Sequence, residues 1–489
     1  VNVAMLLSMA AASWPDETAI VEHSNRIRRA TYGELGSMAG GGARLAVEAE
    51  SDAILFIGVN GVALPVALFA AARAGIPFVP LNYRLADDKL AELVGSFERP
   101  IVIADKPGRV TTAGAVYGPN EWLDAAATTA PLEDRDMDAE AIAVLLYTSG
   151  TTAAPKAAVL RNRHLVSYIL GTVEFGAGGP SQASLVSVPP YHIAAVANLL
   201  SNLYAGRRLV YLDRFDPEVW LDMADSEGVT HSMVVPTMLA RICDYLTEHE
   251  QKSPPVLAIS YGGARMPVTV LAQALDAFPN TGFVNAYGLT ETASTIALLG
   301  PDEHREAFAS GDPAVRARLG SVGRPVPGVT IGVFDEDGNQ CEANIRGELR
   351  VRGPQVSGEY LGKGSLLSDD GWFHTRDQAY VDGGGYVFIE GRMDDTIIRG
   401  GENIAPAEIE ESIVAHEFVS DAGVVGVADD DWGQRIAAHV VLYPGKTLSV
   451  DDVRAWVRSK LRSSKTPDDV IFHDELPRTD TGKLLRRLL

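Results

Sequence analysis

A chain of 489 residues is too long for one ordinary hydrophobic core, so two or more domains are expected. With 46% hydrophobic and 22% charged residues it has the make-up of a soluble globular protein, and a net charge of −22 excludes a general nucleic-acid binder, which needs a basic face. Only Cys243 and Cys341 occur, too few and too far apart for a disulfide framework or a C-x-x-C metal site, which suits reduced thiols in a cytoplasmic protein.

Residues 3–12 are apolar, but no Lys or Arg precedes Arg26, so the charged start of a secretory signal is missing and a helix packed on the body is expected. Residues 53–59 then read as a strand, 64–73 as a helix, 77–80 as a strand, 87–94 as a helix and 101–104 as a strand. The apolar stretch 62–74 is too short to span a membrane and is interrupted by Pro65 and Arg73. This alternation predicts α/β layers with largely parallel sheets. From about residue 320 the texture changes to glycine-punctuated strands at 329–334, 347–353 and 386–390, a smaller β-rich subdomain. Beyond 391–395 a helix at 406–414, strands at 422–427 and 437–443 and a helix at 450–461 follow. That mixed α+β tail, roughly a hundred residues, is large enough to be its own domain. The expected architecture is therefore α/β. A large N-terminal domain of layered mixed sheets and helices spans 1–391, with the β-rich subdomain at about 320–391. A joint at 392–395 leads to a small α+β C-terminal domain at 396–489. So short a joint suits a hinge and a fixed interface equally.

Chemistry concentrates in a few segments. Tyr147-Thr148-Ser149-Gly150-Thr151-Thr152-Ala153-Ala154-Pro155-Lys156 packs hydroxyls, a glycine and a lysine into one turn-prone stretch. Hydroxyls and backbone N–H groups there can bond phosphate oxygens, Gly150 permits close approach, and Lys156 adds a mobile charge. The spacing is not that of G-x-x-x-x-G-K-[ST], and by itself the stretch reads equally well as a Ser/Thr-rich loop. Gly262-Gly263-Ala264, after the strand-like 256–261, lacks bulk, so a planar base or an acyl group can lie against backbone. In Tyr287-Gly288-Leu289-Thr290-Glu291-Thr292, Tyr287 offers a flat face for adenine and Thr290 a hydroxyl for a phosphate, although a packed structural tyrosine reads the same way. Asp377, ending Gly371-Trp372-Phe373-His374-Thr375-Arg376-Asp377, has two acceptor oxygens for a pair of neighbouring hydroxyls. Arg392, in Gly391-Arg392-Met393-Asp394-Asp395, suits a ribose or phosphate contact or a salt bridge at the joint.

The segments at 147–156, 287–292, 371–377 and 391–395, together with Pro477-Arg478-Thr479-Asp480-Thr481-Gly482-Lys483, make five motifs that in this order resemble the adenylate-forming superfamily of acyl-CoA synthetases, adenylation domains and luciferases. The likeness covers essentially the whole chain. It implies an ATP-dependent carboxylic acid:CoA ligase that uses Mg²⁺ and passes through an acyl-AMP. A carrier-protein pantetheine is the alternative acceptor, and a homodimer is allowed. The resemblance assigns Mg²⁺ to Glu291 and catalysis to Lys483, Glu291, Lys156 and Thr290. It assigns nucleotide binding to Thr148, Ser149, Gly150, Thr151, Thr152, Lys156, Gly262, Gly263, Ala264, Asn285, Ala286, Tyr287, Gly288, Thr290, Asp377, Arg392 and Lys483.

The same likeness implies that the C-terminal domain swings about Asp395. Lys483 would enter for adenylation, and Gly400, Gly401 and Glu402 would replace it to line a pantetheine tunnel. Trp432 is a further candidate for that tunnel, and Arg462 or Lys465 for CoA phosphates; a core tryptophan and solvated cations are the competing readings. The acyl pocket is expected around His192, Ile193, Ala194, Gly263, Gly288 and Thr295. Amino-acid-activating relatives carry an aspartate near Ile193-Ala194-Ala195-Val196-Ala197, and none is present here. That argues for an acid without an α-amine, aryl, bulky cyclic or fatty. The chain departs from the pattern at Ala153 and Ala157, where glycine is usual, and at Arg376, where Thr-Gly-Asp has become Thr-Arg-Asp.

Overall fold

The computed structural model describes residues 2–23, 27–132, 138–148, 156–429, 432–479 and 482–489. The loop residues Ser149, Gly150, Thr151, Thr152 and Ala153, and Asp480 and Thr481 near the C-terminus, lie outside them.

Two large sheets dominate the N-terminal body. In the first, Phe78–Pro80, Ile54–Ile57, Ile101–Ala104 and Val116–Tyr117 run parallel to one another and to Ile142–Thr148, and apolar runs such as Ile-Leu-Phe-Ile are buried on both faces. The second holds Thr18–His23, Arg208–Leu212, Ala183–Val186, His231–Val234, Ala258–Gly262 and Gly282–Leu289 in parallel. Helices cover the faces, among them Ala63–Ala74, which ends at Gly75 with φ +79°, a left-handed cap that glycine adopts without strain.

Both parallel runs end the same way. In the first, Ile142–Thr148 pairs antiparallel with Lys156–Arg161, and the second turns back through the 3₁₀ turn Thr290–Thr292 into antiparallel Ser294–Leu299. Thr148 and the Thr290–Thr292 turn lie at the carboxyl ends of the parallel runs, where ligands of open α/β sheets bind. Glu359–Tyr360 then adds beside Lys156–Arg161, with Tyr360 opposite Ala158. The segment leading into it clamps the second turn, since Ser357 N and Gly358 N donate to Glu291 O at 2.8 and 3.1 Å and Ser357 Oγ donates to Val159 O.

The expected β-rich subdomain is a four-stranded antiparallel sheet of Thr330–Phe334, Gly347–Arg352, Phe373–Val381 and Val387–Arg392. Beyond the 3₁₀ turn Met393–Asp395 and the small Ile397–Arg399/Glu402–Ile404 hairpin comes the smaller C-terminal domain. Its sheet of Val419–Asp429, Gly433–Leu442 and Asp469–His473 packs Ile436, Ala438 and Val440 against Ile409 and Ile413 of Pro406–Val414 and Val453 and Val457 of Val450–Lys460. The first two strands extend beyond the expected 422–427 and 437–443, because backbone pairing continues to Asp429 opposite Gly433 through polar residues that show no apolar alternation. Val441, Leu476 and Leu484 form a separate cluster on the sheet's other face. Among the described residues no helix is long and apolar enough to cross a membrane.

Candidate active site

Register brings the nucleotide-motif residues together. Thr148 pairs with Lys156 as the last rung before the 149–155 loop, and Thr148 Oγ1 donates to Lys156 O at 3.3 Å. Gly262 pairs with Ala286, so Gly262, Gly263 and Ala264 leave their strand alongside Asn285, Ala286 and Tyr287. A side chain on Gly262 would meet Ala286 O at 2.4 Å, and Gly263 sits at φ +80°. Gly288 stands opposite Thr295 across a bulge, and a Cβ there would lie 1.8 Å from Ser294 O. Two residues after the Thr290–Thr292 turn take left-handed backbone without being glycine, Ala293 at φ +53° and Ser294 at φ +111°. Thr292 Oγ1 holds this turn, accepting from Leu289 N at 3.0 Å and donating to Ser294 O at 2.8 Å.

Glu291 is nearly buried, and its Oε1 accepts from the Tyr360 hydroxyl. Burial, reinforced by the Glu291 charge, raises the Tyr360 phenol well above its ordinary value, so it remains a donor. Sequence reasoning missed Tyr360; only the antiparallel addition of Glu359–Tyr360 to the loop strand brings it to Glu291. Mg²⁺ prefers one or two carboxylates plus phosphate oxygens and water. Glu291 fits that role, and among the described residues no cluster of three or more His, Cys, Asp or Glu offers an all-protein cage.

Asp377 is buried; its Oδ2 accepts from the Tyr287 hydroxyl, and Arg392 Nε stands 3.1 Å from its Oδ1. Arg392 also donates through Nη1 to Thr375 O at 2.6 Å. Desolvation raises the Asp377 carboxyl, with Arg392 and the Tyr287 hydrogen bond opposing it. Arg376, the departure beside it, occupies φ +62°, the conformation a glycine would take, and its Nη2 reaches Asp394 Oδ1 at 2.8 Å. The side chain thus points away from Asp377 toward the joint.

The C-terminal domain closes over this site. Arg265 Nη2, after the Gly262-Gly263-Ala264 turn, meets Glu411 Oε1 at 2.5 Å, and a Cβ on Gly482 would sit 2.9 Å from Thr237 Oγ1. A tight turn holds Lys483: Gly482 N donates to Thr479 O at 2.8 Å, Thr479 N donates to Lys483 O at 2.8 Å, and Arg478 grips Asp421 at 2.5 and 2.9 Å. Lys483 is exposed to the cleft, with protein on its other sides. Desolvation lowers its pKa from the ordinary 10.5, as does the charge of Arg392, while Asp377 and Asp395 pull the other way.

His192 precedes the Ile193–Tyr204 helix and is nearly enclosed; desolvation lowers its pKa to about 4, and its Nε2 has no hydrogen-bond partner among the described residues. Ile193 and Ala194 follow, half-buried, at the start of that helix. Residues expected at the second half-reaction lie apart from this cluster. Gly400 and Gly401, at φ +57° and +81°, join the strands of the small hairpin, and a Cβ on Gly400 would meet the Trp432 ring at 2.9 Å. Trp432 is 56% exposed and Ile398 57%, so neither is a core residue. Glu402 pairs with Arg462 at 2.6 Å, and buried Lys465 pairs with Glu408. Beside the Lys483 turn a cleft of about 570 Å³ runs between the domains, lined in part by Tyr83, Arg84, Arg214, Arg241, Asp421 and Arg478.

Two family profiles match: AMP-binding enzyme over residues 7–361 and the AMP-binding enzyme C-terminal domain over 408–483. The chain is 32% identical to a feruloyl-CoA synthase of Amycolatopsis sp, covering 97% of both chains. It is 31% identical to a fatty acid–[acyl-carrier-protein] ligase of Streptomyces coeruleorubidus, over 90% of this chain and 86% of that one. Among solved structures it is similar to ATP-bound MatB from Rhodopseudomonas palustris, with a TM-score of 0.86 at 28% identity, covering 100% of this chain and 98% of that one.

Proposed function

Since the chain belongs to the AMP-binding enzyme family and is an acid–thiol ligase using ATP, Mg²⁺ and CoA, we propose that it activates an aryl, bulky cyclic or fatty acid as an acyl-AMP and then transfers the acyl group to CoA. The observation that carries this reading is the convergence of Lys483, from the C-terminal domain, with Asp377 and Arg392 of the large domain.

In the first half-reaction a carboxylate oxygen attacks the α-phosphorus of ATP and the bond to pyrophosphate breaks. Both reactants are anions, so the site must hold repelling groups in line and offset charge on the leaving group. Lys483 bridges the acid's carboxylate and the α-phosphate, and Thr290 donates to that phosphate. Lys156 and the hydroxyls of the 149–155 loop receive the β- and γ-phosphates. Asp377 takes the ribose hydroxyls, with Arg392 steadying its carboxylate, and Tyr287 lies against the base. Mg²⁺, when bound, neutralises phosphate charge; Glu291, oriented by Tyr360, would hold it. Acid and thioester carbonyl lie against Gly288, where a side chain has no room, and Gly263, whose φ of +80° suits glycine, and His192 stays neutral at physiological pH. In the second half-reaction the CoA thiolate attacks the acyl carbonyl and AMP leaves. Rotation about Asp395 withdraws Lys483 and presents Gly400, Gly401 and Trp432 instead; the exposure of Trp432 and Ile398 supports a face that awaits a partner surface.

The deciding experiment follows AMP and acyl-CoA together by mass spectrometry over a panel of aryl, cyclic and fatty acids with ATP, Mg²⁺ and CoA. Both products from one acid class are expected. Acyl-AMP without thioester would direct the acyl group to a carrier protein, the acceptor named for the Streptomyces coeruleorubidus relative.

A further inference from the structure

Three residues beyond Lys483, Arg486 spreads its guanidinium over three elements. Its Nη2 donates to both oxygens of Glu410 at 2.6 and 2.8 Å, its Nε to Val424 O at 3.3 Å, and its Nη1 reaches Asp395 Oδ2 at 3.5 Å. Glu410 in turn accepts from Val424 N at 2.8 Å. All three side chains are largely shielded, with 23% exposure for Arg486, 31% for Asp395 and 16% for Glu410. The bonds differ in kind. Glu410 and Val424 belong to the C-terminal domain and travel with Arg486, whereas Asp395 sits in the Met393–Asp395 turn about which that domain is proposed to rotate. The bond to Asp395 therefore reports where the domain stands, while the bond to Glu410 does not. The connection to Lys483 is short and stiff: Leu484 packs with Val441 and Leu476, and Leu485 N donates to Pro477 O at 2.9 Å.

We infer that Arg486 is a positioning residue that ties the joint at Asp395 to the Lys483 turn, so that the adenylating arrangement and the placement of Lys483 are set together. One planar guanidinium presents Nη2 to both Glu410 oxygens, Nε to Val424 O and Nη1 to Asp395; the single nitrogen of lysine cannot reach all three. This inference rests on the two-step ligase reading above.

The test uses the full-length protein with ferulate, or the panel acid giving most AMP, and measures the two half-reactions separately: acyl-AMP formation from acid and ATP, and thioester formation from synthetic acyl-AMP and CoA. Arg486→Lys and Asp395→Asn should each slow acyl-AMP formation on the order of tenfold and leave thioester formation within about twofold. The double variant should be no slower than either single one, since both remove the same bond. Equal losses in both half-reactions, no loss in the first, or additive losses in the double variant would overturn the inference. Wild-type protein that makes no acyl-AMP from any acid would instead fell the ligase reading beneath it, a result distinguishable from all of these.

Discussion

At the scale of single residues, the site is defined by what each charged group has for company. Lys483 meets two cationic neighbours, Arg392 and Arg486, and two carboxylates, Asp377 and Asp395, in a desolvated cleft, and its pKa falls below 10.5. Its ammonium form is present below that lowered pKa and lost as pH rises through it, so acyl-AMP formation should fade on the alkaline side at a lower pH than free lysine would give. Stability runs the other way over that window, because the unfolded chain holds the proton more tightly and the folded state gains as pH rises. Lys483→Arg should shift the alkaline limb of the pH–rate profile upward. Lys483→Ala should cut acyl-AMP formation by about a hundredfold or more and leave thioester formation from supplied acyl-AMP nearly intact; equal loss in both steps would remove the assigned role. Tyr360→Phe leaves Glu291 without its hydroxyl partner and should raise the Mg²⁺ concentration needed for half-maximal acyl-AMP formation, measured by magnesium titration. Glu291, Asp377 and Lys483 were legible in sequence because each ends or follows a compact motif. Tyr360 and Arg486 were not, since their meaning lies in partners 69 and 91 positions away.

At the scale of elements, the Thr290–Thr292 turn at the end of one parallel run carries much of the chemistry, and it depends on backbone crowding. Gly288 has no space for a side chain against Ser294 O. Gly288→Ala should therefore cost about 1–3 kcal/mol of stability and distort the Glu291 turn, checked by urea denaturation alongside nucleotide binding. Arg376 illustrates a local conflict in the other direction. A non-glycine residue at φ +62° costs about 1–2 kcal/mol, while its exposed pair with Asp394 returns only about 0–1 kcal/mol. Arg376→Gly should thus be at least as stable as the parent, and Arg376→Ala, which keeps the strain and loses the pair, about 1 kcal/mol less stable than the glycine variant. Helix and strand cores were readable from apolar periodicity: Asp87–Val94, Ile101–Ala104 and Pro406–Val414 fall where expected. Phe373–Val381 was not recognised as a strand, because its polar motif residues mask a sheet position set by pairing with Gly347–Arg352 and Val387–Arg392.

At the scale of the whole molecule, the large and small bodies meet at contacts spread along the chain. Among the described residues Arg265 pairs with Glu411 and Gly482 of the Lys483 turn packs on Thr237, isolated contacts that can break singly when the bodies part. The change of texture beyond residue 391 made a second body legible, but which of its faces meets the large domain was not, because docking is decided by such isolated charges and not by periodicity. Proline at position 395 fixes φ and removes a backbone donor. Asp395→Pro should therefore reduce thioester formation far below that of Asp395→Asn, which loses the carboxylate alone. Comparable rates for the two variants would take the pivot away from this position.

Of the six tryptophans only Trp432 is exposed, its indole leaning over Gly400 with Arg399 5.7 Å from the ring centroid. That makes it a built-in optical probe. At 56% exposure its emission should be long in wavelength and readily quenched by acrylamide. Any turnover state that folds this hairpin onto the large domain shields the ring, so a stopped-flow trace of tryptophan fluorescence would time the domain's passage between its two half-reactions without a label.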